Sequence, residues 1–247
     1  MKEVEKAFKT TCKALLGEDI GEMDGYEKFL WRYVAIPSTR KSSDAKSDVF
    51  LSGPYGNHAR IFSNAEAQKR MAAPLSINDI KDIDSLLEAA QQRFEYAGDK
   101  VLGKSMGVER SDACIDAVFV TSSQNILESE YIGYCDMVGE SKFMFGCSFG
   151  TQSTHCMNVT EFYNANRVLE SGVILFSSDC FYCYNCKNAS NLMFCFNQYS
   201  KRHCIGNNQF MPDKFTSMKK KISSEIIEML RKKKSIPSLV EFANGAV

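Results

Sequence analysis

Cys180, Cys183 and Cys186 stand at two consecutive Cys-x-x-Cys spacings, with Cys195, His203 and Cys204 close behind them. Thiolates at this spacing converge readily on one ion, so the run suits zinc or an iron–sulfur cluster. His203 would add an imidazole beside Cys204. A competing reading is structural, because free cysteine is among the most buried residue types and packs as a small apolar side chain. The wider pattern decides between them. Of the ten cysteines, Cys114, Cys135, Cys147, Cys156, Cys180, Cys183, Cys186, Cys195 and Cys204 all carry residue numbers divisible by three. They follow a repeat.

That repeat runs from Ser123 to Cys204 with a period of six. One column holds Ser123, Ser129, Cys135, Ser141, Cys147, Ser153, Val159, Ala165, Ser171, Ser177, Cys183, Ala189 and Cys195, small residues with one exception. Midway between them lie Ile126, Ile132, Val138, Met144, Gly150, Cys156, Phe162, Val168, Ile174, Cys180, Cys186, Leu192, Gln198 and Cys204, apolar except at Gly150 and Gln198. A fixed short period marks a stacked architecture whose repeats bury their apolar side against their neighbours. The stretch reads as a β-solenoid with a hexapeptide-like period. The small column divides again at twelve residues, which favours a coil of twelve or twenty-four residues. Two inward positions three apart do not fit a plain strand, whose alternate side chains share a face, so a bend must intervene. The residues suited to left-handed bends are Asn125, Gly133, Gly139, Gly146, Asn158, Asn164, Asn166, Gly172, Asn185, Asn188, Asn191 and Asn197.

The runs Ser129-Glu-Tyr131, Glu140-Ser-Lys-Phe143, Cys180-Phe-Tyr-Cys183-Tyr-Asn-Cys186, Asn191-Leu-Met-Phe-Cys195, His203-Cys-Ile-Gly-Asn-Asn-Gln-Phe210 and Asp213-Lys-Phe215 resemble the Cys-rich β-solenoid domain of a family of uncharacterised archaeal and bacterial proteins, candidate phyla among them. The resemblance covers about residues 123 to 216, and its ending at Cys204-Ile205 and Asn207 is the most specific part. It implies a solenoid fold and no activity. Family members often carry paired Cys-x-x-Cys zinc-ribbon motifs upstream, whereas this chain has only Cys12 and Cys114 there.

Three regions follow: a mainly helical N-terminal region or cap over 1–110, a β-solenoid over 111–211, and a C-terminal basic amphipathic helix and tail over 212–247, an α+β arrangement. Val4, Phe8, Cys12 and Leu15 sit at helical spacing and stop at Gly17, which suits a left-handed C′ position. A second helix is expected from Asp24, with Glu27 completing a capping box, to Pro37. Residues 38–48 read as a polar surface loop, and Ser52-Gly-Pro-Tyr-Gly-Asn-His-Ala59 as a turn in which His58 is an ordinary surface histidine. Ile77, Ile80, Ile83, Leu87, Ala90 and Phe94 keep the rhythm of an amphipathic helix. After Pro212, Asp213 is expected to cap a helix bearing Phe215, Met218, Ile222, Ile226 and Met229 on one face.

Composition excludes some classes of function. Thirty basic and thirty acidic residues cancel, so no global field favours nucleic acid or an anionic membrane. No run approaches the length that spans a bilayer, and Met1 to Leu16 lacks the apolar stretch of a secretory signal, so a cytoplasmic location is expected. Local features carry the rest. The aromatics Tyr131, Tyr134, Phe143, Phe145, Phe149, Phe176, Phe181, Tyr182, Tyr184, Phe194, Phe196 and Tyr199 lie outside both inward columns, and so much aromatic surface requires a cover. The cover is the chain's own helices, a partner protein or a second copy. Between Lys214 and Lys234 the eight basic and two Glu residues leave a local charge of plus six. Lys219, Lys220, Lys221, Arg231, Lys232 and Lys233 there suit phosphates of RNA or a ribonucleoprotein.

The reading is a non-catalytic scaffold, with no catalytic residues and no cofactor. Its expected partner-binding residues are Phe176, Phe181, Tyr182, Tyr184, Phe194 and Phe196 together with the six basic residues. Two alternatives stand beside it. One is a thiol-ligated zinc or iron–sulfur protein using Cys180, Cys183, Cys186, His203 and Cys204. The other is an enzyme acting from the solenoid face through carboxylates such as Asp136, Glu140, Glu161, Glu170 and Asp179.

Overall fold

The computed structural model describes residues 2–57, 59–71, 73–138, 142–151, 154, 157–160 and 166–245. His58, Glu140, Cys156 and Glu161 therefore lie outside the described residues. The repeat is made of left-handed backbone. Ala113, Asp116, Phe119, Ser122, Asn125, Glu128, Tyr131 and Tyr134, and again Val173, Phe176, Asp179, Tyr182, Asn185, Asn188, Asn191, Phe194, Asn197 and Ser200, have φ between +46° and +61°. These residues come at every third position, each but Ser200 directly before an inward one, so a tripeptide turns once and sends one side chain inside. Five of the expected asparagines occupy bends, at 125, 185, 188, 191 and 197. Elsewhere phenylalanine, tyrosine and even the β-branched Val173 do so, although left-handed backbone costs such residues about 1–2 kcal/mol each. The position in the repeat, not the residue's preference, sets the bend.

Parallel ladders join successive coils. The strands at 106–109, 118–121 and 130–133 pair side by side, and a series of bridges from Glu130 through Lys142, Thr154 and Asn166 to Ser178 continues them into 178–181, 190–193 and 202–205. Partners in these ladders stand twelve residues apart, as Cys180 with Leu192 and Leu192 with Cys204. A second stack pairs 101–102, 112–115, 124–127 and 136–138. The first rungs thus precede residue 111. The fold is a β-solenoid with a helix at each end of the chain, and its interior is one continuous cluster that includes Val120, Ile132, Cys147, Val168, Cys183 and Leu192.

At the start of the chain, helix α1 (Lys2–Leu16) buries Val4, Ala7, Phe8, Thr11, Cys12, Leu15 and Leu16, and ends at Gly17, whose φ is +93°. The expected second helix is broken into a 3-10 turn at Met23–Tyr26, a single turn α2 (Glu27–Leu30) and a further 3-10 turn at Trp31–Tyr33, with no capping bond from a side chain. The solenoid takes its carbonyls. Asn158 Nδ2 donates to Phe29 O at 2.8 Å, and a Cβ on Gly146 would overlap the Leu30 carbonyl oxygen. At Gly146, Asn158 and Glu170, where the period calls for bends, the backbone is not left-handed.

Residues 38–48 are not a plain loop. β1 (Ser38–Lys41) and β2 (Asp48–Leu51) form an antiparallel hairpin, and β3 (Arg60–Ser63) pairs in parallel with β4 (Glu95–Gly98). Between them lie α3 (Asn64–Ala67), capped by a Ser63–Glu66 box, and α4 (Ile83–Arg93), capped by an Asp82–Ser85 box. This β-rich insert departs from the mainly helical expectation because its strands are only four residues long, too short for a period of two to stand out. It joins the solenoid through Asp112, whose buried carboxylate accepts Ser52 N at 2.7 Å, Lys100 N at 2.8 Å and Lys100 Nζ at 2.7 Å.

α5 (Pro212–Lys233) starts with proline at its first turn and Met211 as N-cap, with Asp213 inside the helix rather than capping it. Its Phe215, Ile226, Ile227 and Leu230 join α1 over the solenoid residues Tyr134, Phe145, Met157, Leu169, Phe181, Tyr182 and Met193 in one core. Each large side chain buried this way contributes about 1.5–3 kcal/mol. The tail docks on the body. Its short helix α6 (Leu239–Ala243) is held by Glu170 Oε1, which accepts Leu239 N at 2.6 Å and Tyr33 OH at 3.2 Å. Tyr182 OH donates to Pro237 O at 2.8 Å, and Arg32 donates to Ser235 and Ile236.

Candidate functional site

The inward columns explain the cysteines. An inward Ser donates to the carbonyl two residues back, across the bend: Ser123 Oγ to Thr121 O at 2.8 Å and Ser177 Oγ to Leu175 O at 2.8 Å. Inward cysteines make the same bond, with Cys135 to Gly133 O at 3.2 Å, Cys183 to Phe181 O at 3.3 Å and Cys195 to Met193 O at 3.2 Å. Inward Ser and Cys atoms also accept from the backbone twelve residues on: Ser123 Oγ from Cys135 N at 3.2 Å, Ser171 Oγ from Cys183 N at 3.1 Å, and Cys195 Sγ from Asn207 N at 3.4 Å. Ser and Cys alternate in this column because both are small and both carry a donor that satisfies a buried carbonyl.

Cys180, Cys183, Cys186, Cys195 and Cys204 are all buried, and the Cys183 thiol meets those of Cys180, Cys186 and Cys195. Burial, reinforced by these thiol neighbours, holds Cys183 well above the usual thiol range. The bond from Cys183 draws Cys195 down to about 7, against its own burial. His203 stands apart. It is a bend residue with φ of +55°, and its ring meets Phe215 of α5 edge-on at 5.4 Å, outside the coil that holds Cys204. Among the described residues no three His, Cys, Asp or Glu side chains come together in a way that holds a metal ion.

The outward aromatics divide into two sets. Phe181, Tyr182 and Phe194 lie under the chain's own helices: Tyr182 stacks on Phe194 at 4.8 Å, and Lys219 Nζ sits over the Phe181 ring at 4.8 Å. Phe196 is half-buried, parallel to Phe242 of the tail at 6.4 Å. Phe176, Tyr184 and Tyr199 are left 63%, 51% and 56% exposed on the walls the helices do not cover. Tyr199 pairs across the ladder with Lys187, and Asn185 Nδ2 donates to Asn197 Oδ1 at 2.6 Å and to Tyr199 OH at 3.4 Å, a ridge of polar and aromatic groups. The sequence marks Tyr199 as an outward aromatic, but only its exposure makes it a surface residue.

The basic helix is divided too. Lys219 is partly buried, and burial lowers its pKa. Arg231 donates to Glu18 Oε2 at 3.0 Å and Asp19 O at 2.8 Å, and Lys232 pairs with Glu228 at 2.5 Å. Lys220, Lys221 and Lys233 are exposed. Of the carboxylates, Glu170 is committed to the tail, and burial pushes it up to about 7 despite the bond from Leu239. Its Oε2 has no partner. Asp179 occupies a bend.

Comparison of the chain with protein-family models, with curated proteins and with solved structures gives no match. The solenoid that the resemblance implies is present, while membership of a family is not supported. The fold defines a β-solenoid flanked by helices. No helix among the described residues is long and apolar enough to cross a membrane.

Two outcomes follow. A disulfide reagent on native protein leaves the nine described thiols unreacted, and all ten react after unfolding; rapid native reaction of several thiols contradicts their placement. The Glu170 pKa stands above its unfolded value, so its ionisation removes stability as pH rises from 4.5 through about 7 and costs nothing below that window. Glu170→Gln, which still accepts both bonds, should match wild type near the lower limit and exceed it above about pH 8 by up to about 3 kcal/mol in urea unfolding. A difference independent of pH would contradict the assignment.

Proposed function

We propose that the chain is a non-catalytic β-solenoid scaffold that binds a macromolecular partner, a protein or a ribonucleoprotein, on the uncovered walls of the solenoid. The observation that carries this is the exposure of Phe176, Tyr184 and Tyr199, large aromatics on walls that the chain's own helices leave bare. Large aromatics with one polar edge anchor protein interfaces and also stack on unpaired bases. Exposed Lys187, Lys201 and Arg202 border Tyr199, and Lys220 and Lys221 extend the positive field along α5. The partner-binding set accordingly contracts to Phe176, Tyr184, Tyr199 and the exposed lysines, with Phe196 at its rim, since Phe181, Tyr182 and Phe194 already have a cover.

One coil is read as twelve residues, a length supported by the ladder registers, so these side chains stand on rigid rungs about 4.8 Å apart. A reducing compartment such as the cytoplasm suits nine free buried thiols.

Capture of the full chain from a lysate of its own cells should recover a stoichiometric protein or RNA. Phe176→Asp with Tyr184→Asp and Tyr199→Asp should lower recovery roughly tenfold or more while the circular dichroism spectrum is kept. Recovery of the chain alone, or recovery unaffected by the triple substitution, overturns the proposal. Metal analysis of the same preparation addresses the thiol alternative: about one zinc or iron per chain would make Cys180, Cys183, Cys186 and Cys204 candidate ligands instead of rungs.

A further inference from the structure

The uncovered wall that carries Tyr184 and Tyr199 has a charge pattern unlike the rest of the chain. Thirty of the 247 residues are acidic, yet none lies between Cys180 and Pro212, while Lys187, Lys201 and Arg202 fall inside that span and are all exposed. None of these three cations has an ion pair among the described residues. Carboxylates of adjoining segments face other partners: Glu170 is buried beneath the tail, Glu241 lies 3.5 Å from Arg32, and Asp179 lies by Lys219 of α5. A soluble surface normally mixes both signs, so a stretch with cations alone selects a partner that carries anions in series.

The rings supply the second half of the pattern. Tyr184 pairs along the ladder with Phe196, and Lys187 with Tyr199. Lys187 therefore adjoins Tyr199 across one rung of about 4.8 Å and shares the strand 183–187 with Tyr184. Asn185 Nδ2, donating to Asn197 Oδ1 at 2.6 Å and to Tyr199 OH at 3.4 Å, ties the two coils together beside these rings. Phe242 of the tail, 51% exposed and parallel to Phe196, continues the aromatic row. Rigidly held aromatic faces, with amides between them and cations beside them, are what an unpaired strand of nucleic acid requires: bases stack on the rings and phosphates meet the cations. A duplex hides its base faces and is read by an element that enters a groove, which a wall of even rungs does not offer.

We infer that this wall binds a single-stranded polynucleotide, with bases stacked on Tyr184 and Tyr199 and phosphates neutralised by Lys187, Lys201 and Arg202. This partner class rests on the scaffold reading, since it occupies the same wall, and it does not require the basic face of α5. RNA and single-stranded DNA share the chemistry, and the 2′-hydroxyl is what separates them.

Fluorescence anisotropy of the full chain with labelled oligouridylate and oligodeoxythymidylate of about twelve nucleotides tests this. Both should bind with a Kd of about 10 µM or tighter at about 50 mM salt, and neutralisation of three phosphates should weaken binding about twentyfold between about 50 mM and about 200 mM. Tyr184→Ala and Tyr199→Ala should each weaken it about tenfold, while Tyr184→Phe and Tyr199→Phe, which keep the stacking face, should change it less than about twofold. Equal affinity for the two oligonucleotides supports recognition through base and phosphate alone, and a tighter RNA complex supports it with an added 2′-hydroxyl contact. Absence of binding at about 100 µM, an affinity unchanged in both alanine variants, or equal binding of a duplex overturns the inference. In that event, capture of a protein from nuclease-treated lysate that is lost on the triple substitution would keep the scaffold reading and give the wall a protein partner instead.

Discussion

The structure depends on left-handed backbone at every third residue of the solenoid. A bend before each inward residue is what lets a chain send one side chain in three to the interior, where an ordinary strand would send one in two. The cost is considerable, about 1–2 kcal/mol for each residue other than glycine. It is offset by what the bend makes available: a ladder of parallel hydrogen bonds to the next coil and a core position filled by each tripeptide. A single bend of this kind would not survive alone. Stacked, they hold one another in place.

The consequences reach the chemistry. In the small column a tight bend leaves the carbonyl before it facing a narrow interior, where a small side chain that donates fits best. Serine and cysteine meet both conditions, which gives the thiols a structural role that neither metal binding nor plain hydrophobic packing supplies. The same geometry throws the remaining two residues of each tripeptide outward. Where α1, α2 and α5 lie, those residues become a second core, with Phe8 meeting Phe145 edge-on at 5.4 Å. Where no helix lies, Phe176, Tyr184 and Tyr199 remain as surface.

Much of this was legible because inward positions recur strictly: the columns from Ser123 to Cys204, the placement of Cys183 and Cys195 on them, and the α1 stop at Gly17. The bends were less so. Phe176, Tyr182 and Val173 occupy left-handed backbone that their own propensities oppose, while Gly133 and Gly172, which favour it, do not. Which outward aromatics are covered was beyond the sequence, since that follows from where Leu30 docks against Gly146, a contact between distant segments. Likewise, the rhythm of Ile83, Leu87 and Phe94 reveals an amphipathic helix but not that its apolar side faces water.

One-bond Cα–Hα couplings measured by NMR report the sign of φ directly in solution. The account predicts positive φ at Val173, Phe176, Asp179, Tyr182, Asn185, Asn188, Asn191, Phe194 and Asn197, with negative φ at the inward Ile174, Cys180, Cys183, Cys186 and Leu192 between them. Negative values throughout this stretch would mean ordinary strands, and would remove both the inward thiol column and the outward aromatic ridge built on it.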